Sequence, residues 1–340
     1  MNFTKGMLFM KNQLMNNIRV VHSTVLEEFE QQIDFTYPFT KELLCLLKRE
    51  NKFEQEYYYL ERDEDYAFFV LYKNRMNIFT FGKMKWYYPL KVIGYPCSFS
   101  NCGYITNNEM LLLEYVSTMK GAKLILNVPE HMDAGDFTEG ETLPTCIWEN
   151  RFQDVSAYLD SLRSSYRRRI RKAIERSGDI ERKEITDDSI DIYDLYLNTY
   201  EKSNYKLEKL EPGFFREVDA TKIVFLKSEQ PIGFVLLKKV EEQLIFMLCG
   251  MDYQYDTADL YYYMLYSIIE YAIKHGCRRV DLGQTSEETK MKFGAVLEKR
   301  YFYAHHSNNL LNRLIGLGKS MLEYQYHFPD YHVYKVVKGK

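Results

Sequence analysis

TADLYYYMLYSIIEYAIKHGCRRVDLG, residues 257–283, decides the fold of this chain. Tyr261, Leu265, Ile268, Ile269 and Ala272 recur at helical spacing, with Asp256 or Thr257 as the cap. Gly276 is a natural helix stop, because glycine enters the left-handed conformation at little cost. CRRVDLG, 277–283, then reads as a strand. Upstream, TKIVFLKS (221–228), PIGFVLLKKV (231–240) and QLIFMLCGMD (243–252) read as three strands, the first two joined by a tight Glu-Gln-Pro turn. The same junction occurs earlier in the chain. Asn107 or Asn108 caps a helix running to Lys120, Gly121 stops it, and AKLILNVP (122–129) follows as a buried strand. Gly121 and Gly276 are 155 residues apart. A meander, a helix and a returning strand therefore appear twice, which predicts an internal duplication. Each unit is expected to be α/β (α+β), a mixed and mostly antiparallel sheet flanked by helices.

Composition bounds the function. The chain has 340 residues, 46% hydrophobic and 27% charged, with 45 Lys+Arg against 48 Asp+Glu. These values exclude disordered, collagen-like and coiled-coil chains. A net charge of −3 makes any anion site a local feature. The six cysteines contain no CxxC pair and no histidine at zinc spacing, so no metal is expected. The N-terminal MNFTKGMLFMKNQLMNN has no apolar run long enough for a signal peptide, and no stretch of about 18 apolar residues predicts a membrane span. The expected location is cytoplasmic.

Further elements follow from pattern. Thr40–Lys48 reads as a helix, and YAFFVLY (66–72) with RMNIFTF (75–81) as a hairpin turning at Lys73-Asn74. Helices are expected at Asp154–Leu162, Ser164–Arg176 and 286–292, a strand at Lys299–His305, and an apolar tail helix at Asn309–Leu322. The expected domains are 1–152, 153–306 and a 307–340 extension.

Three segments carry chemistry. In SSYRRRIRKAIER, Leu162, Tyr166, Ile170 and Ile174 form an apolar stripe, and Arg163, Arg167, Arg168, Arg169, Arg171, Lys172 and Arg176 cover the rest. This face reads as an anion site for nucleotide, coenzyme or RNA phosphates, or as a solvated face paired with the acidic run at 179–191. In CGMDYQYDTADL (249–260), amides near Gly250, Met251 and Asp252 are placed to polarise a carbonyl, and the next helix N-terminus favours phosphate. Asp252, Asp256 and Asp259 oppose a pyrophosphate there, and an ordinary strand–helix connection is the competing reading. In DLGQTSEETKMKFGA (281–295), Asp281 and Gln284 leave a strand's carboxyl end, where open sheets take ligands, and Lys290 can hold a carbonyl oxygen or phosphate. Here the competing readings are an Asp281 pair with Arg278 or Arg279, and a solvated Lys290.

The order RRRIRKA, PIGFVLLKK, helix-KHG-CRRVDLG, TKMKFGA resembles the BioF2-like acetyltransferase domain of the GNAT superfamily, and the related Fem-type aminoacyltransferases, over about 155–306. The resemblance implies tandem GNAT units, the N-terminal one degenerate, and transfer of an acyl or aminoacyl group to an amine. Lys290 matches the family's lysine, and Asp281 and Gly283 match its strand-end motif. The glycine-rich pyrophosphate loop of CoA-using relatives is missing at 253–259.

The resulting expectation is an N-acyltransferase in which an amine attacks an activated carbonyl directly. Asp281 is the first candidate base, with Tyr255 or Tyr261 behind it. Lys290 and the amides of Gly250–Asp252 meet the carbonyl. Gln284, Arg163, Arg167 and Arg171 bind the donor, which is acetyl-CoA or another acyl-CoA. The alternatives are aminoacyl-tRNA as donor, or a non-catalytic GNAT-like binding module. The expected acceptor is an amine on a small molecule, peptide or sugar. The tail helix is placed for peripheral membrane contact, for docking onto the fold, or for a homodimer.

Overall fold

Three of the helices start where the sequence supplies a side-chain oxygen for a free amide. Thr40 Oγ1 accepts from Leu43 N at 3.4 Å, Asn108 Oδ1 from Met110 N at 3.0 Å, and Asp154 Oδ1 from Ala157 N at 2.8 Å. The computed structural model describes residues 13–15, 17–97, 99–255 and 257–336. Of the two cap candidates for the long helix, Asp256 lies outside the described residues, and the helix begins at Thr257. The chain divides into two units, Met1–Thr142 with Lys299–Gln325, and Leu143–Glu298 with Tyr326–Lys340.

In chain order the first strands are β1 (Gln13–Met15), β2 (Ile18–Ser23), β3 (Gln55–Arg62), β4 (Asp65–Asn77), β5 (Tyr87–Ile93), β6 (Tyr104–Thr106), β7 (Ala122–Val128), β8 (Thr138–Glu141) and β9 (Thr145–Glu149). The helices among them are α1 (Lys41–Glu50) and α2 (Glu109–Thr118). There follow α3 (Val155–Ser161), α4 (Ser164–Arg176), β10 (Glu181–Ile185), α5 (Tyr193–Lys202), α6 (Pro212–Glu217), β11 (Thr221–Lys227), β12 (Gln230–Val240), β13 (Gln243–Met251) and α7 (Thr257–Lys274). The chain closes with β14 (Arg279–Asp281), α8 (Glu287–Met291), β15 (Val296–Glu298), β16 (Tyr301–His306), α9 (Asn309–Leu317) and α10 (Lys319–Leu322).

The first unit's sheet runs β1-β2-β3-β4-β5-β7-β16-β8, with β6 on β4. Leu111, Leu112 and Val116 of α2 pack on Phe69, Ile93 and Ile125. The hairpin expected at Lys73-Asn74 is absent, because 65–77 form one strand and these two residues pair with Lys91 and Leu90 of β5. A two-residue hairpin needs left-handed central residues, which Lys-Asn supplies poorly. The chain reverses instead between Asn77 and Tyr87, around Gly82.

The second unit's sheet runs β10-β11-β12-β13-β14-β9-β15. Both units place one parallel pair at the same point. β5 runs parallel to β7, and β13 to β14; the next two strands, β16-β8 and β9-β15, are antiparallel. Gly121 and Gly276 precede the returning strand in each, with φ of +86° and +66°. Two α/β units of one plan are thus present. Their boundaries differ from the contiguous 1–152, 153–306 and 307–340 expected. Thr145–Glu149 lies in the second sheet, and Tyr301–His306 in the first, so each sheet takes one strand from the other half of the sequence. The sequence pattern identifies Lys299–His305 as a strand and leaves 145–149 unassigned, and it carries no information about which sheet a strand joins.

The α4 stripe is narrower than expected. Leu162, Ile170 and Ala173 are buried, whereas Tyr166 and Ile174 are half-buried against the same core. Gly294 in the KFGA block has φ +94°, and a Cβ there would lie 2.1 Å from Tyr334 Oη.

His305 on β16 is buried against Phe137, with its Nδ1 lacking a hydrogen-bond partner. Desolvation first, then Lys123 and His306, push its pKa down to about 4 against the opposing pull of Asp136. The unfolded chain therefore binds the extra proton between pH 6.5 and 4, and stability falls as pH drops through that window. His305→Phe should flatten this dependence. Urea midpoints at pH 7 and pH 4.5 check it, and an unchanged slope would contradict the assignment.

Candidate active site

A limit of register sets the opening. β13 and β14 pair only at Gln243–Arg279, Leu244–Val280 and Ile245–Asp281. Beyond that point β13 continues on β12 to Met251. The other chain turns onto β9, with Leu282 N donating to Cys146 O (2.8 Å) and Cys146 N to Gly283 O (3.1 Å). The two strands part at their carboxyl ends, where open sheets take ligands.

The turn leaving β14 is strained. Gly283, Thr285 and Ser286 all have positive φ, at 71°, 62° and 52°. Left-handed backbone at non-glycine residues costs on the order of 1–3 kcal/mol each and persists only where the surroundings enforce it. Asp281 Oδ1 accepts from Gly283 N (2.7 Å) and from Thr145 Oγ1 (2.9 Å). Gln284 Nε2 donates to Leu143 O (2.6 Å). Lys290 Nζ reaches back from α8 to donate to Gln284 O (2.8 Å) and Gly283 O (3.2 Å).

Lys290 is only 2% exposed and Asp281 8%, and Glu287 is also buried. This corrects one competing reading, since Lys290 is not a solvated side chain. Burial pushes its ammonium pKa down, opposed by Cys146, Cys249, Asp281 and Glu287. Its Nζ stands 5.8 Å from the centre of the Phe246 ring on β13. The expected alternative pairing of Asp281 is absent too, since Arg279 bonds Glu149 and Glu298 and Arg278 bonds Glu242.

At the end of β13, a Cβ on Gly250 would lie 2.4 Å from the carbonyl carbon of Leu195 and 2.4 Å from the Phe234 ring. Glycine is what allows α5 to lie directly on the strand. α5 then presents Thr199 Oγ1, which accepts from Met251 N (3.2 Å) and lies 3.4 Å from the Tyr253 hydroxyl. Asp252 N donates to Ile232 O at 2.8 Å. Two of the amides expected to hold an oxyanion therefore already have acceptors. The ladder's alternation turns the N–H of Cys249 to the same edge as that of Met251. Tyr261, on the first turns of α7, hydrogen-bonds Ser286, and burial pushes its phenol pKa up.

The α7 N-terminus carries its own anion. Asp259 is buried and accepts from Arg169 (2.6 Å) and Arg176 (2.8 Å). Desolvation would raise its pKa, but bonds from Arg176 and Arg169 hold the carboxyl below the usual range. Arg169 also stacks over Tyr262 at 3.9 Å. Of the arginines expected at the donor, Arg167 and Arg171 lie 3.4 and 3.7 Å from Asp160, and Arg163 is exposed. Arg168 and Lys172 are exposed, with no ion pair among the described residues. Asp179, from the acidic run expected to face α4, bonds Lys227 instead, and Lys227 also sits 5.7 Å from the Tyr255 ring.

The structure therefore brings Asp281, Gln284 and Lys290 together beside Phe246 and Cys249. Gly250–Asp252 continue along the same strand under α5. Tyr255 gathers with Lys227, and the three donor arginines stand on the solvent side of α4. Sequence reasoning missed Thr145, Thr199, Ser286 and Glu287; a Ser-Glu-Glu start to a short helix was the one available signal. A separate groove of about 570 Å³, lined by Arg182, Glu184, Ser267, Glu270 and Lys274 among others, contains none of the expected site residues.

Comparison with known proteins agrees with this geometry. Residues 160–291 match the family model described as acetyltransferase (GNAT) domain. No curated protein matches the chain. Among solved structures, L-PGS from Bacillus licheniformis aligns with 84% of this chain and 99% of its own, at TM-score 0.51 and 9% identity. The C-terminal domain (DUF2156) of a putative lysylphosphatidylglycerol synthetase from Agrobacterium fabrum aligns over 75% and 85%, at 0.49 and 13%. FemX aligns over 81% and 93%, at 0.46 and 11%. Residues 160–291 are thus similar to GNAT acetyltransferase domains, as their motifs indicated, and the fold is GNAT-like.

Proposed function

We propose that the second unit is an N-acyltransferase whose activated acyl donor enters between the parted ends of β13 and β14. The observation that carries this is the loss of β13–β14 pairing after Ile245 and Asp281. An acyl carbonyl there meets the edge of β13 at Cys249. The amine nitrogen forms the new C–N bond, the bond from the carbonyl carbon to its carrier breaks, and the amine's proton leaves through water. Tyr261, kept protonated by burial, gives its proton to the departing carrier. Asp281 and Lys290 act as positioning residues that hold the strained 283–286 turn, not as the base and the oxyanion cation.

Aminoacyl-tRNA is a second reading of the donor, favoured by one observation. Asp259, clamped by Arg169 and Arg176, occupies the α7 N-terminus, where a diphosphate would otherwise gain most. Arg168 and Lys172 meanwhile stand exposed four residues apart on the outer face of α4, suited to a polynucleotide backbone.

Titrating the full chain separately with acetyl-CoA and with bulk aminoacyl-tRNA tests both readings. Binding of tRNA that weakens steeply with salt, and further on Arg168→Glu with Lys172→Glu, supports the second donor. Binding of acetyl-CoA alone removes it. Binding of neither contradicts the acyltransferase reading.

A further inference from the structure

The first unit carries an apolar surface that its core does not use. α9 exposes Leu310, Leu311, Leu314 and Leu317, and Met321 of α10 continues the patch; Leu317 is 84% exposed. The connection from β4 to β5 adds a second patch. Gly82–Tyr87 is exposed throughout, with Met84, Trp86 and Tyr87 at its tip and Trp86 60% exposed. The two patches are neighbours, since the ring of Phe81, next to Gly82, packs at a tilt against Tyr324, two residues beyond α10, with ring centres 5.0 Å apart.

The stretches of sequence that carry the two patches are themselves free of acidic residues. From Tyr66 to Asn108 the sequence has no acidic residue, but it has Lys73, Arg75, Lys83, Lys85 and Lys91. From Lys299 to Leu322 it again has no acidic residue, but it has Lys299, Arg300, Arg313 and Lys319. Lys73 pairs with Glu56, Lys299 with Glu141 and Lys319 with Glu323. For Lys83, Lys85 and Arg313 the described residues include no ion-pair partner. With Lys299 and Lys319 neutralised by Glu141 and Glu323, the cations left over beside the apolar residues are Lys83 and Lys85 at the β4–β5 tip and Arg313 on α9.

We propose that this surface docks the protein on an anionic lipid membrane, with α9 lying in the interface plane and Trp86 inserting beside it. A helix of nine residues is too short to span a bilayer, and among the described residues no helix is long and apolar enough to cross one. Leucines on one side, cations at the edge and an indole at headgroup depth are what an interfacial segment requires. A second copy of the chain fits less well. A two-fold contact sets a patch against itself, which here opposes lysines to lysines. The inference is independent of the chemistry proposed for the second unit.

The test is co-sedimentation of the full chain with phosphatidylcholine vesicles, with and without phosphatidylglycerol, followed by tryptophan fluorescence. The chain has two tryptophans, and Trp148 is fully buried in the other unit, so an emission change on binding reports Trp86. Binding should need the anionic lipid, shift the emission to the blue, and weaken with salt. Lys83→Gln and Lys85→Gln should each lower the partition about fivefold. Leu314→Ser with Leu317→Ser, at exposed positions that leave the core intact, should lower it at least tenfold. No binding to anionic vesicles would overturn the proposal, as would binding that all these variants leave unchanged. Self-association abolished by the leucine variants, without vesicle binding, would assign the surface to a second copy and overturn it as well.

Discussion

Replacing Lys290 with methionine should cost the protein about 3 kcal/mol of unfolding free energy, the size expected when one member of a buried charged cluster is removed. Methionine fills a similar volume, so the loss is electrostatic and local. Gln284 O loses the ammonium donor at 2.8 Å, and Gly283 O keeps only Cys146 N. Asp281 and Glu287 remain buried with their cation gone. The left-handed Thr285 and Ser286 then lack the group that draws the turn toward α8. Chemical denaturation at neutral pH reads this directly, and a midpoint equal to the parent's would show that the turn holds itself.

Gly250→Ala should be the other severe change, at about 2–3 kcal/mol, because overpacking here meets backbone and not a movable side chain. The added methyl would stand 2.4 Å from the Leu195 carbonyl carbon and 2.4 Å from the Phe234 ring, so α5 must lift off β13. Lifting α5 also breaks the Thr199 contact with Met251 N. Gly233→Ala is the control on the neighbouring strand. Its methyl would meet the Met264 sulfur at 3.4 Å and Leu260 at 3.5 Å, which are ordinary packing distances, and it should cost far less. Equal losses in the two variants would contradict the close approach of α5.

These two sites mark how far the sequence could be read. The repeated helix–glycine–strand junction was legible because Gly121 and Gly276 both need positive φ and both follow an apolar-periodic helix. The basic helix was legible to the residue, as α4 spans Ser164–Arg176. The second unit's DLG turn was legible as a site because a strand end followed by glycine and a short polar helix has few other uses. The direction of Lys290 was not. A lysine four residues into a polar helix looks solvated until the preceding turn curls under it. The exchange of β9 and β16 was equally hidden, since pairing across about 150 residues is decided by packing. The false hairpin at Lys73-Asn74 arose from reading two polar residues as a turn, when they lie in the middle of a long pairing with β5.

The central claim is that a donor binds where β13 and β14 part. Amide hydrogen exchange on the full chain, with and without whichever of acetyl-CoA or aminoacyl-tRNA binds, tests it most directly. The account predicts slowed exchange in peptides covering 246–252 and 281–291, with the 303–317 region of the first unit unchanged. Protection confined to the 570 Å³ groove at Arg182 and Glu270, with 246–252 and 281–291 unaffected, would contradict it.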